Sequence, residues 1–160
     1  MTAIFRSVFL LVYALFWGGL TLYTGIVVRI SHDLLGDPID GGLITQRVTV
    51  FLQYLCAMTV VLMVCNTAIV FRKLPQLGRL LLGCTTVLAA ALIGLFVVHG
   101  HLDAVIDVAA YEITDRDAFT TGHRRYNQLT TVQWLATLAY LPLTIIAWKR
   151  IDASKVSEDE

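Results

Sequence analysis

Four stretches of this chain, residues 4–30, 46–71, 77–101 and 124–148, are almost unbroken runs of apolar side chains. A helix rises about 1.5 Å per residue, so about 20 such residues cross the roughly 30 Å hydrocarbon core of a bilayer. Inside that core a backbone amide has no water to bond, which leaves helices as the natural way for such runs to span. The chain has 160 residues and is 57% hydrophobic, against about 45–50% in soluble domains. The runs therefore predict an all-α polytopic membrane protein with one domain over residues 1–150. Its expected form is a left-handed, antiparallel four-helix transmembrane bundle, followed by a polar cytoplasmic tail at 151–160. The first run is far longer than the roughly 7–15 apolar residues of a signal peptide, and no small-residue cleavage site precedes the charged loop, so it reads as a retained helix.

Formal net charge is zero, but the charges are unevenly placed. With four spans, the termini and the short link near Pro75 share one side. That side carries Arg6, Arg72, Arg79, Arg150 and every lysine: Lys73, Lys149 and Lys155. The opposite side carries Arg29, Arg47, Arg116, Arg124 and Arg125 among many carboxylates. Lys and Arg favour the cytoplasmic side, so both termini are expected there. No basic patch interleaves with aromatics, which argues against a nucleic-acid partner.

Along the chain, Gly18, Thr21 and Gly25 form a small-residue stripe suited to close helix approach. Trp17 lies too deep for an interfacial belt and is expected to pack among helices. Pro38, Gly41 and Gly42 read as breakers in the first outer loop. Gln46, Thr49 and Gln53 share a face of the second span, predicting either hydrogen bonds between helices or a polar-lined cavity. In the third span Gly83, Val87, Ala90, Gly94 and His101 fall on one stripe, which should turn His101 into the bundle and His99 roughly 200° away. Leu102, Val105, Ile106 and Ala109 keep helical spacing, predicting a helix over 77–113 about 55 Å long. Helices three and four would then project on the outer side as a hairpin with Thr114 at its apex and Asp115 as N-cap. His123, Asn127, Thr130, Trp134 and Thr137 share a face of the fourth span. Pro142 should kink that span, and Trp148 with Lys149 and Arg150 should mark the inner interface. Cys56, Cys65 and Cys84 read as packing residues.

The chemistry-bearing residues gather around the outer hairpin. One reading is a metal or haem site, or a small-molecule site, at the extracytoplasmic mouth. Imidazole suits several transition metals and carboxylates can complete the shell, so the candidates are His101, His123, Asp103, Asp107, His99 and His32. No metal-binding or catalytic motif supports it directly: there is no His-Glu-x-x-His, no nucleophile elbow and no phosphate loop. The plainer reading is a latch, in which Asp103 and Asp107 pair with Arg124, Arg125 and His123 near Asn127, each pair contributing about 0–1 kcal/mol. A proton or ion path is a third reading, without a mid-span carboxylate to carry it.

Several of these residues also resemble a known group. They are His101-Leu102-Asp103 with Asp107; Asp115-Arg116-Asp117 with Phe119, His123, Arg124 and Tyr126; Gln133-Trp134; Gly18-Gly19 with Thr21 and Tyr23; and Thr45-Gln46-Arg47-Val48-Thr49. Together they resemble small four-helix bacterial membrane proteins of unknown function, loosely similar to the domain of eukaryotic transmembrane protein 205. The resemblance extends from about Phe9 to Trp148. It implies the four-helix fold and a bacterial inner (cytoplasmic) membrane, and assigns no chemistry. The expectation is an integral membrane protein without evident catalytic machinery. Its role is either structural or in assembly, packing against lipid and membrane partners or further copies of itself, or else binding a metal, haem or small molecule at the outer mouth.

Overall fold

The computed structural model describes residues 2–35, 38–107, 110 and 112–156, without the side chains of 32, 38–41, 155 and 156. Its elements are α1 (Ala3–Leu22), a π-helical turn (Tyr23–Val27), α2 (Val28–Leu35), α3 (Pro38–Lys73), α4 (Pro75–Ala104), the short strands β1 (Ile106–Asp107) and β2 (Glu112–Ile113), and α5 (Arg116–Val156). Four helical segments are long and apolar enough to cross a membrane: Ala3–Leu35, Gly42–Lys73, Pro75–Ala104 and Arg116–Ser154. Consecutive segments pack on one another, and α1 also touches α5.

Local chemistry sets the boundaries. Thr2 caps α1, its hydroxyl accepting from the Phe5 amide at 3.4 Å. Between α3 and α4 only Leu74 is non-helical, and Pro75 opens α4 where its missing N–H costs nothing. Such a tight link presses the two helices together. A Cβ added at Gly78 would sit 2.5 Å from the Phe71 Cα, so this position requires glycine. At the start of α5, Asp115 accepts from the Ala118 amide at 2.9 Å, the N-cap expected of it, with Asp117 in the first turn.

Three expectations are corrected here. The long helix over 77–113 ends at Ala104. Val105 and the β-branched Ile106 and Ile113 favour extended backbone, and β1 pairs with β2 through Ile106–Ile113 and Asp107–Glu112. The Asp107 carboxylate accepts from the Ala110 amide at 3.0 Å inside the turn, and Thr114, expected at the apex, bonds back to the Val105 carbonyl at the hairpin base. Second, α3 begins at Pro38 rather than Gln46: proline serves as a first helical residue, and Gly41 and Gly42 are carried within the helix. Third, Trp148 is buried rather than interfacial, edge-on to Phe9 with ring centroids 5.7 Å apart. Pro142 lies within a continuous α5.

The terminal half of the interior is densely filled. Phe9, Tyr13 and Phe16 of α1 meet Met63 and Val70 of α3, Leu81 and Leu88 of α4, and Tyr140 and Ala147 of α5. Arg6 clamps Asp152 through two 2.6 Å hydrogen bonds and lies over the Trp148 ring, joining α1 to α5 at this end. At the hairpin end α4 and α5 run antiparallel, with Gly122 against Leu102 and Gly94 against Leu129.

Candidate functional site

The hairpin half of the interior is hollow. A chamber of about 720 Å³ lies among all four helical segments, within the roughly 300–1,000 Å³ range of small-molecule pockets. Its floor includes Leu20, Leu52, Leu95 and Trp134, and the hairpin closes it with Ile106 and Ile113. The ring of Trp134 stacks on Trp17 at 5.9 Å, and its indole N–H donates to the Thr21 hydroxyl at 3.0 Å. Both polar faces noted in the sequence converge here. Gln46, Thr49 and Gln53 enter from α3, and His123, Asn127, Thr130 and Trp134 from α5.

Gln53 is the pivotal side chain. It is 2% exposed. Its amide nitrogen donates to the Tyr126 hydroxyl at 3.1 Å, while its carbonyl oxygen has no partner. Amide orientation does not remove the problem: reversing the amide lets Tyr126 donate to the oxygen and strands the nitrogen instead. Tyr23, 6% exposed, has its hydroxyl beside Thr45. Tyr23 opens the π-helical turn, whose Thr24 and Gly25 also face the chamber. Such turns insert one residue per turn and recur at functional sites. Nothing in the apolar pattern of the first span signals this one.

At the mouth the histidines sort differently from expectation. His99 lines the chamber, its ring 6.4 Å from that of Tyr126, and its Nε2 lies 3.6 Å from Asp103 Oδ2. His101 is exposed and borders a separate groove with Gly122 and Arg125. The two do stand on different faces, as an unbroken helix requires, but the stripe is inverted. Gly83, Val87 and Ala90 are exposed, and the buried face of α4 is Leu81, Thr85, Leu88, Leu92 and Leu95. His123 stacks on Phe119 at 6.0 Å and lines the chamber. The opposed pair across α4 and α5 is thus His99 and His123, rather than His101 and His123. Among the described residues, no three His, Cys, Asp or Glu side chains gather to hold a metal ion. The His32 side chain lies outside the described residues.

The latch is also redrawn. Asp103 does not reach Arg124 or Arg125, which form no ion pair among the described residues. Instead the Gln46 amide donates to Asp103 at 2.5 Å, tying α3 to α4. The early end of α4 shifts the hairpin register, which carries Asp103 away from the arginines. Asp107 serves the turn, and Asn127 faces the chamber. Among the described residues Asp103 is the one carboxylate on the chamber wall, and no Lys or Arg lines it.

A second polar cluster, unforeseen in the sequence, lies in the terminal half and is fully bonded. The Asn66 amide nitrogen donates to Tyr140 at 2.9 Å and to Thr144 at 3.3 Å, and its oxygen accepts from the Trp148 indole at 2.9 Å. Thr67 contacts both Tyr140 and Thr85, and Tyr140 donates to the Met63 carbonyl. With each described polar group engaged, this cluster joins α3, α4 and α5. Cys56 is buried and accepts from Gln133 at 3.3 Å. None of the cysteines lies on the chamber wall. Comparison with protein-family models, curated proteins and solved structures finds no match to this chain.

Proposed function

We propose that this chain is an integral membrane protein, an antiparallel four-helix bundle that holds a small molecule in the chamber of its hairpin half. The observation that carries the reading is the chamber itself, a space of about 720 Å³ among the four helical segments. The mostly apolar wall with a few converging polar groups is the usual make-up of a ligand pocket. The lysine bias supports both termini on the cytoplasmic side with the hairpin facing outward, and the resemblance supports a bacterial inner membrane. At 41 residues α5 is about 60 Å long, enough to project beyond the hydrocarbon core.

Binding is tested in lipid nanodiscs by fluorine NMR with para-fluorotoluene. A saturable bound population is expected, and Gly42→Phe should abolish it. An added Cβ at Gly42 meets nothing within 4 Å, so the ring can fill the chamber without displacing a helix. Purely linear partitioning, equal in both proteins, would rule the reading out. Thiol labelling of Glu112→Cys from the cytoplasmic side alone would reverse the orientation.

A second reading, an assembly component that packs against membrane partners or other copies of itself, rests on the first helical segment. A Cβ atom added at Gly18 meets nothing within 4 Å, so this end of the small-residue stripe is uncovered. Gly18→Leu should then dissociate a complex that crosslinking detects in the membrane. No change in crosslinking would set this reading aside.

A further inference from the structure

We infer that the chamber takes an organic cation with an apolar body, its positive head seated at Asp103 and its body on the apolar wall below. This rests on the chamber being a binding site and names the class of compound it takes.

The charge on the wall has one sign. Among the described residues Asp103 is its single carboxylate, and no Lys or Arg lines it. The Asp103 side chain is 43% exposed, so a ligand can reach it. One of its oxygens accepts from the Gln46 amide at 2.5 Å. The other lies 3.6 Å from His99 Nε2, beyond hydrogen-bond range, and an imidazole offsets a negative charge only when it is protonated. Gln46 therefore orients the carboxylate without neutralising it. Asp103 also stands in the last turn of α4, where the carbonyl end of the helix adds partial negative charge. Such a wall favours a cation and opposes a carboxylate or phosphate head, which would enter without a counter-charge.

Rings stand at the same level. Leu102 of α4 lies against Gly122 of α5, and Gly94 against Leu129. That antiparallel register sets Asp103 level with Thr121, between Phe119 and His123. Both of these line the chamber, their rings stacked at 6.0 Å. Tyr126 follows on the same helix face, with its ring 6.4 Å from that of His99. Aromatic faces attract cations, and alkylated ammonium groups suit such surroundings because they need few hydrogen bonds.

The body is read from the remaining wall. Leu95 lies two turns below Asp103 on α4, roughly 12 Å away along the helix, and Leu20, Leu52 and Trp134 join it at the floor. An ammonium head at the mouth thus leaves an apolar space beneath it for a ring or a short chain. A bare metal ion would leave that space unfilled. It would also lack ligands, since no three His, Cys, Asp or Glu side chains gather among the described residues.

The test is a fluorine NMR titration of the full chain in nanodiscs of zwitterionic lipid, at about pH 8, where an ordinary imidazole is uncharged. The probes are para-fluorobenzyltrimethylammonium, its neutral isostere para-fluoroneopentylbenzene and the anion para-fluorobenzylsulfonate. They share a ring and differ in the charge of the head. After correction for lipid partitioning, the ammonium compound is expected to bind about tenfold more tightly than the neutral isostere, and the sulfonate to show no saturable binding. Asp103→Asn keeps an acceptor for Gln46. It should weaken the ammonium compound about three- to fivefold and leave the neutral isostere unchanged. Gly42→Phe should abolish saturable binding of both. Saturable but equal binding of the ammonium compound and its isostere overturns the cation assignment and leaves the chamber a binding site. So does a cation preference that Asp103→Asn does not reduce, and ammonium binding that survives Gly42→Phe overturns the seat at the chamber mouth. Absence of saturable binding by any probe removes both readings. The comparison of probes within the unaltered protein decides the charge preference even if a variant fails to fold.

Discussion

Replacing Asn66 and Gln53 with leucine should move stability in opposite directions, although both are buried amides on the same helix. Asn66 makes three side-chain hydrogen bonds, to Tyr140, Thr144 and Trp148. Each such bond between membrane helices is worth about 0.6 kcal/mol, so the bonds alone amount to about 2 kcal/mol. Leucine also strands the Trp148 indole N–H in the packed interior, an added cost of about 1–3 kcal/mol. Asn66→Leu should therefore lower stability by about 3–5 kcal/mol. Gln53 makes one side-chain bond, to Tyr126, and leaves its other amide atom unpaired. Gln53→Leu loses about 0.6 kcal/mol and relieves about 1–3 kcal/mol, a net gain of about 1 kcal/mol. Reversible unfolding in mixed detergent micelles, followed by far-ultraviolet circular dichroism, measures both. If Gln53→Leu loses as much as Asn66→Leu, the Gln53 amide is fully satisfied in the folded protein.

Gly78→Ala should cost about 1–3 kcal/mol in the same assay, because the added methyl meets the Phe71 backbone, which cannot step aside as a side chain would. Asp152→Asn should cost less than about 1 kcal/mol. The Arg6–Asp152 pair is partly open to solvent at 23% and 52% exposure, so the difference should vanish in high salt if the clamp is electrostatic. His99→Ala should weaken binding of para-fluorotoluene about two- to tenfold by removing a ring from the chamber wall. His101→Ala should leave that binding unchanged, and the reverse order would restore His101 to the site. Asp103→Ala should speed amide exchange where α3 meets α4 near Gln46. Replacing Arg124 and Arg125 together should not, since they hold no ion pair there among the described residues.

How far the sequence revealed this arrangement depends on the kind of contrast each residue offered. The spans were legible because length and apolarity are read without knowing what lies beside them. The polar faces were legible too. Gln46, Thr49 and Gln53 stand out in an apolar helix, as do His123, Asn127 and Thr130, and helical spacing shows that each set shares a side. Which side α4 turns inward was not legible. In lipid, the buried and exposed faces of a helix are both apolar, so the small residues Gly83 and Ala90 suggested a contact face that the packing does not use. His101 followed that stripe, and His99 is the one that enters the chamber. The hairpin register failed for a related reason. Val105, Ile106 and Ile113 match helical spacing as well as strand preference, and only the pairing across the turn decides between them. The π-helical turn at Tyr23 and the Asn66 cluster depend on partners from other helices, which spacing along one helix cannot supply.

The chamber is tested most directly by soaking crystals grown in lipid with para-bromophenol and locating the bromine by anomalous scattering. A single bromine peak is expected inside the hairpin half, between the α3 and α5 walls. A chamber filled with water, and bromine found only on the lipid-facing surfaces of the helices, would contradict the binding-site reading.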